Sequence, residues 1–137
     1  MKEFLNTFKA LSDKTRLRIM YLLNTAKVAL CVCEIMDSVN ESQYNISRHL
    51  KVLQNAGLVE ENKNGRWIFY SIVPEKKRFY ELITEAIVVL PEEMFQKDIA
   101  RLRKRLSFRQ EGKCVVGMNS PNWKEIVNRL DEESRCL

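Results

Sequence analysis

A capped helix followed at once by a hairpin, in residues 42–72, constrains the fold of this chain more than any other stretch. The apolar residues of the helix recur at i, i+4 and i+7: Ile46, Leu50 and Leu53. Asn40 or Ser42 serves as its N-cap, and Gly57 suits the left-handed residue that ends it. Two strand-like runs around a turn at 62–65 predict a hairpin. The pattern favours a mainly α fold with a small β-hairpin.

The elements upstream place that helix in a known order. An amphipathic helix over 4–11 precedes a second helix capped at Ser12 or Asp13. Residues 28–33 are rich in β-branched side chains and predict a short extended segment, which leads into a two-turn helix ending near Val39. A short helix, a capped helix and a basic-tipped hairpin follow one another in a winged helix-turn-helix.

The outer face of the capped helix is polar and cationic, which favours DNA contact. At about 100° per residue these side chains lie opposite the buried stripe. Major-groove and phosphate contacts are predicted from the helix at Gln43, Tyr44, Ser47, Arg48 and Lys51, and from the hairpin at Lys63, Asn64 and Arg66. The net charge of +5 per chain, hence +10 for two chains, favours a polyanionic partner. A merely solvated helix face is the alternative.

The strongest helical stripe lies downstream of the hairpin and predicts a homodimer. With two phenylalanines of the first helix, it gives this predicted dimer interface: Phe4, Phe8, Phe79, Leu82, Ile83, Ala86, Ile87 and Leu90. We assign residues 1–90 to a winged-helix DNA-binding and dimerisation domain. Residues 91–137 form a helical C-terminal extension with a cysteine-containing linker. Its basic run 101–105 either touches flanking phosphates or is a solvated helix face.

Cysteine usage and hydropathy narrow the class of protein. The four cysteines are irregularly spaced and His49 is the only histidine, so a closed zinc site of the usual kind is not expected. No apolar run approaches the roughly 20 residues of a membrane span, and the N-terminus does not resemble a secretory signal. We therefore expect a cytoplasmic protein with reduced thiols. Cys31 and Cys33 would point to the same side of a strand but diverge in a helix.

Four stretches resemble the ArsR/SmtB metalloregulatory repressors: residues 10–19 (ALSDKTRLRI), 30–35 (LCVCEI), 42–53 (SQYNISRHLKVL) and the hairpin after 57–59 (GLV). The resemblance implies a prokaryotic dimer that binds an inverted repeat in double-stranded operator DNA. The cysteine pair at 31 and 33 looks like that of the arsenic-sensing branch, which releases DNA when As(III) or Sb(III) is captured. His49 matches a family position at the DNA interface, yet its angle toward the core gives an orienting or packing role similar weight.

The sequence departs from that branch at Met36, where the best-known arsenic sensors carry a third cysteine. We predict metal ligands at Cys31, Cys33 and Cys114, with Cys136 or an exogenous thiol as alternatives for the third and buried structural thiols as the alternative for the pair. Residues 75–90 lack histidine, so the family's zinc-sensing pattern is missing. No organic cofactor is expected. The rival functions are a sensor of Cd(II), Pb(II) or thiol oxidation and, more remotely, a thiol-dependent enzyme.

Overall fold

The computed structural model describes residues 1–74 and 77–110 of the 137-residue chain. Its elements in order are α1 Lys2–Leu11, α2 Lys14–Ala26, β1 Leu30–Cys31, α3 Val32–Val39, α4 Gln43–Asn55, β2 Val59–Asn64, β3 Trp67–Ile72, α5 Arg78–Val88, a 3₁₀ turn Glu92–Phe95 and α6 Gln96–Leu106. None of the helices in these two ranges is both long and apolar enough to cross a membrane. The predicted mainly α fold with a small sheet is confirmed.

The core lies beneath α4 and is built from the predicted apolar stripe. Ile46, Leu50 and Leu53 have no exposed side-chain surface. They join Ile19 and Leu22 of α2 in one apolar cluster that also takes in residues of α3 and β2. Burial of these side chains, at roughly 25 cal/mol per Å² of apolar surface, fixes the inward face of α4 and leaves its opposite face in solvent.

Local capping sets both ends of α4. The Ser42 hydroxyl accepts a hydrogen bond from an amide of the first turn at 3.2 Å, so Ser42 is the N-cap. Asn40, the predicted alternative, instead ends α3 in a left-handed conformation with φ 55°. At the other end Gly57 has φ 76°, and the Leu58 amide donates to the Leu53 carbonyl at 3.0 Å, as predicted for a glycine-terminated helix.

The wing is a three-stranded antiparallel sheet in the order β1-β3-β2. The sequence predicted the hairpin and an extended segment at 28–33, but it did not predict that β1 would pair with the hairpin. Cys31 lies opposite Phe69 in that pairing. The segment that carries the first cysteine is therefore hydrogen-bonded to the wing.

The hairpin turn lies later than the predicted 62–65. Asn64 pairs with Trp67, so the strands continue to a two-residue turn formed by Gly65 and Arg66. Gly65 has φ 63°, and Arg66 does not have a positive φ. A turn with glycine at its first central position has the twist that antiparallel strands require, which explains why the turn forms there and not at 62–65.

Helix α6 packs into the same core as α2 and α3. Phe95, Ile99 and Leu102 are buried, and the Phe95 ring stacks on Tyr21 of α2 with centroids 3.9 Å apart. α6 also packs along α3. In the part of the chain that the structure describes, the apolar stripe of α6 completes the core, and the predicted domain boundary after residue 90 stays a prediction.

The basic run 101–105 is divided between the interior and the surface. Arg101 and Arg105 are buried, whereas Arg103 is exposed. The Arg101 Nε donates to the Asp37 carbonyl at 2.6 Å, and the Arg105 Nε donates to the Asp37 carboxylate at 2.7 Å. Both predicted alternatives, phosphate contacts and a solvated face, are wrong for these two arginines, because both are buried and donate to Asp37 of α3.

Candidate DNA interface and thiol site

The outer face of α4 presents the predicted contact residues together. Gln43, Ser47 and Lys51 are exposed, and Tyr44 keeps 72% of its surface in solvent. The Arg48 guanidinium lies over the Tyr44 ring, 5.6 Å from the centroid. An arginine stacked on an aromatic face keeps its donors directed outward at little entropic cost. This surface of α4 has the donors and the cation needed to meet base edges and phosphates.

The wing tip offers a second cationic surface. Lys63, Asn64 and Arg66 are all exposed. The Arg66 guanidinium lies 5.2 Å from the centroid of Trp67, which follows it in β3. Positive charge at the tip of a wing suits contact with a phosphate backbone rather than base recognition.

His49 faces the start of α2 rather than the open face of α4. Its side chain is 14% exposed, and its Nδ1 lies 3.2 Å from Nη1 of Arg16 and 4.0 Å from the Asp13 carboxylate. Arginine can only donate, so the tautomer that accepts this bond carries its proton on Nε2. Asp13 is the N-cap of α2, and the hydrogen bond from the Arg16 amide lowers the pKa of its carboxyl group. These contacts favour the orienting role that the sequence left open.

The two predicted cysteine ligands flank a junction between strand and helix. Cys31 is buried, ends β1 and is the N-cap of α3, with extended φ −80° and ψ 162°. Cys33 is partly exposed in the first turn of α3. Among residues 1–74 and 77–110, no group of three or more His, Cys, Asp or Glu is placed to hold a metal ion, and Cys114 lies outside the described residues.

A buried acid next to the cysteines was not singled out from the sequence. Glu34 is fully buried, and its carboxylate accepts a hydrogen bond from the Cys31 amide at 3.0 Å. This bond is one half of a capping box at the first turn of α3. Arg109 forms a bidentate pair with the same carboxylate at 2.6 and 2.7 Å. The signal that could have revealed this pair is the four-residue spacing of the arginines at 101, 105 and 109, next to the apolar stripe of α6.

Most residues of the predicted dimer interface are exposed or partly buried. Phe4 and Phe8 of α1 pack edge-on against Phe79 of α5, with centroids 4.8 and 5.7 Å apart, and both keep more than a third of their surface exposed. The other members are exposed or partly buried: Leu82, Ile83, Ala86 and Leu90. The exception is Ile87, which is 4% exposed because it packs into the protomer's own core.

Comparison with known proteins places the chain in a family. Residues 13–61 match the family model described as "Bacterial regulatory protein, arsR family". The chain is 36% identical over 105 residues to the arsenic resistance transcriptional regulator ArsR1 of Pseudomonas putida, and the alignment covers 74% of this chain and 81% of that relative. The chain belongs to the arsR family of bacterial regulatory proteins. As a member of this family it is a DNA-binding transcriptional regulator rather than an enzyme.

Another relative is named for a different metal. A cadmium resistance regulatory protein, the CadC homologue of Staphylococcus aureus, is 40% identical over 68 residues, which cover 50% of this chain and 55% of that relative.

Among solved structures, the reduced form of HlyU from Vibrio cholerae superposes with a TM-score of 0.53 at 26% identity, covering 63% of this chain and 85% of that one. The winged helix-turn-helix fold predicted from the sequence is thereby confirmed.

Proposed function

We propose that this arsR-family regulator is a homodimeric, cytoplasmic repressor of an arsenic-resistance operon, released from its operator by As(III) or Sb(III). The observation that carries the proposal is the position of the two cysteines. Cys31 ends β1 and Cys33 lies in the first turn of α3, one short helix ahead of α4. The relative described above with the longest alignment, over 105 residues, is itself named an arsenic resistance regulator.

The exposed surface supports DNA binding as a dimer. Two copies joined through α1 and α5 would bury the exposed apolar side chains of this surface, among them Phe8 and Leu82, which are 52% and 47% exposed. Such a two-fold arrangement presents α4 and the wing twice, as recognition of an inverted repeat requires. Arg48 and Tyr44 would then meet base edges, with Lys63 and Arg66 on the flanking backbone.

Capture of one ion by both thiols would require α3 to open at its start. Residues at i and i+2 of a helix point about 200° apart, whereas in a strand they share a side. Cys31 is already extended and Cys33 is helical. Binding of arsenous acid forms one As–S bond and releases one water for each thiol, so the two sulfurs must approach one atom. Unwinding of this turn would then shift α4 relative to the wing and lower operator affinity.

The release assay tests this proposal directly. Fluorescence anisotropy of labelled operator DNA should fall when arsenite is added to the wild type. It should stay unchanged for the Cys31→Ser/Cys33→Ser double variant, which should still bind DNA. Normal release from the double variant would refute the thiol assignment.

Cys114 is the proposed third thiolate, because Met36 stands where a third cysteine would complete the site and a thioether is not a thiolate ligand. Cys114→Ser should weaken arsenite binding without affecting operator affinity. X-ray absorption should show three sulfurs per arsenic in the wild type and two in the variant. An unchanged coordination number and affinity would exclude Cys114.

Cadmium is the second candidate inducer, and the named cadmium regulator among the relatives favours testing it. Cd(II) prefers four soft ligands, whereas As(III) takes three, so the coordination number distinguishes the two ions. Release by cadmium at lower concentrations than arsenite would assign the protein to cadmium sensing. Release by peroxide, with a mass shift on Cys31 or Cys33, would assign it to thiol oxidation.

A further inference from the structure

A row of arginines fastens the C-terminal side of the described structure to α3. The three are spaced four residues apart: Arg101, Arg105 and Arg109. The first two reach Asp37 near the end of α3, and Arg109 reaches Glu34 in its first turn. The row thus contacts the helix between the cysteines and α4 along most of its length.

Glu34 connects Arg109 to the backbone of Cys31. Its Oε1 accepts both the Cys31 amide at 3.0 Å and Nη2 of Arg109 at 2.6 Å, and its Oε2 accepts Nε of Arg109 at 2.7 Å. The same Nη2 donates to the Ala29 carbonyl at 2.7 Å. Arg109 therefore contacts residues on both sides of Cys31, Ala29 before it and Glu34 after it, and links them in the arrangement in which the first turn of α3 is helical, here called closed. Because Glu34 has no exposed surface, solvent cannot readily replace this partner.

We propose that Arg109, acting through Glu34, is a positioning residue that holds the first turn of α3 closed and sets the inducer concentration at which DNA is released. The inference rests on the proposed function. Convergence of Cys31 and Cys33 on one ion would separate the Cys31 amide from the Glu34 carboxylate, so the pair stabilises the closed state and not the open one. A contact made in only one of two states shifts inducer affinity and DNA affinity in opposite directions.

The test compares Arg109→Gln with Arg103→Gln, a matched control that removes the same charge from an exposed position on α6. Anisotropy with labelled operator DNA gives the arsenite concentration for half-release. Hydrogen exchange of a peptide covering residues 30–36 reports opening of α3 without any inducer. For Arg109→Gln we expect the arsenite concentration for half-release to be at least about fivefold lower than for the wild type. We also expect weaker DNA binding without inducer and faster hydrogen exchange of this peptide. Arg103→Gln should leave half-release and exchange unchanged.

One more variant, Arg109→Lys, and titration of the wild type with three ions complete the test. Arg109→Lys retains the charge but loses the planar fork, so it should fold and shift half-release in the same direction by a smaller factor. If Arg109→Gln does not fold, this variant decides the question. Equal half-release and equal exchange for the Arg109 and Arg103 variants, while arsenite still releases the wild type, would overturn the role of Arg109. Failure of arsenite, antimonite and cadmium to release the wild type would instead overturn the proposed function, and the exchange data would still decide whether Arg109 holds α3 closed.

Discussion

Removal of Arg105 should destabilise the protein strongly, although Arg105 belongs to a basic run in which Arg103 is exposed. Arg105 has no exposed surface, Asp37 is 4% exposed, and their side chains meet at 2.7 Å. Arg105→Ala would leave the Asp37 carboxylate buried without this ion pair. Loss of one partner of a buried ion pair costs about 3–5 kcal/mol, and the near-complete burial here places the expected loss in that range. Arg103→Ala, on the exposed side of α6, should change stability by no more than about 0.5 kcal/mol.

Urea unfolding at a fixed protomer concentration, followed by far-UV circular dichroism, gives both free energies of unfolding. The combined change Arg105→Met/Asp37→Leu should recover most of the loss, because a buried ion pair replaced by apolar side chains of similar volume is often neutral or stabilising. The reasoning is refuted if Arg105→Ala and Arg103→Ala lose equal stability, or if the Arg105→Ala variant is at least as stable as the double variant.

Three other perturbations test the DNA face, the α2 cap and the dimer face. Arg48→Ala should lower operator affinity and specificity by about 1–3 kcal/mol in a footprinting titration, whereas Lys63→Ala should mainly reduce the salt dependence of binding by about one ion; unchanged affinity and salt slope for both would remove α4 and the wing from the interface. Asp13→Ala should cost about 1 kcal/mol of stability near neutral pH. The pKa of Asp13 is lower in the folded state than in the unfolded state, so the stability lost in Asp13→Ala is complete above the unfolded-state pKa of about 4. This loss shrinks as the pH falls through the lower folded-state pKa. A loss of stability that stays constant down to pH 2 in urea unfolding would contradict the cap assignment. Leu82→Glu should convert the dimer to monomers in analytical ultracentrifugation by placing carboxylates in an apolar interface, and an unchanged mass would exclude the α1–α5 face.

The parts of the fold that sequence predicted are those fixed by local chemistry. The stripe of Ile46, Leu50 and Leu53, the glycine at 57 and the hairpin follow from periodicity and backbone preference, which act over a few residues. The exposed face of α4 followed as the complement of its buried face. The order of these elements then identified the winged helix.

The parts that sequence did not predict depend on contacts between distant segments. Arg105 and Asp37 are 68 residues apart, and Arg109 and Glu34 are 75 apart. A basic run on an isolated helix is usually solvated, and only the buried acids of α3 reverse that expectation. The pairing of β1 with β3 was missed for the same reason, because two residues carry too little pattern to specify a partner strand.

The pairing of β1 with β3 has a practical consequence for observing the protein at work. Cys31 lies opposite Phe69, and Trp67 precedes Phe69 by two residues in β3, where it is partly exposed beneath Arg66. A displacement of the Cys31 backbone should therefore be passed through the strand pairing to an indole ring. We expect the intrinsic fluorescence of Trp67, in a Trp123→Phe background, to serve as an optical reporter of thiol occupancy that requires neither DNA nor an attached dye.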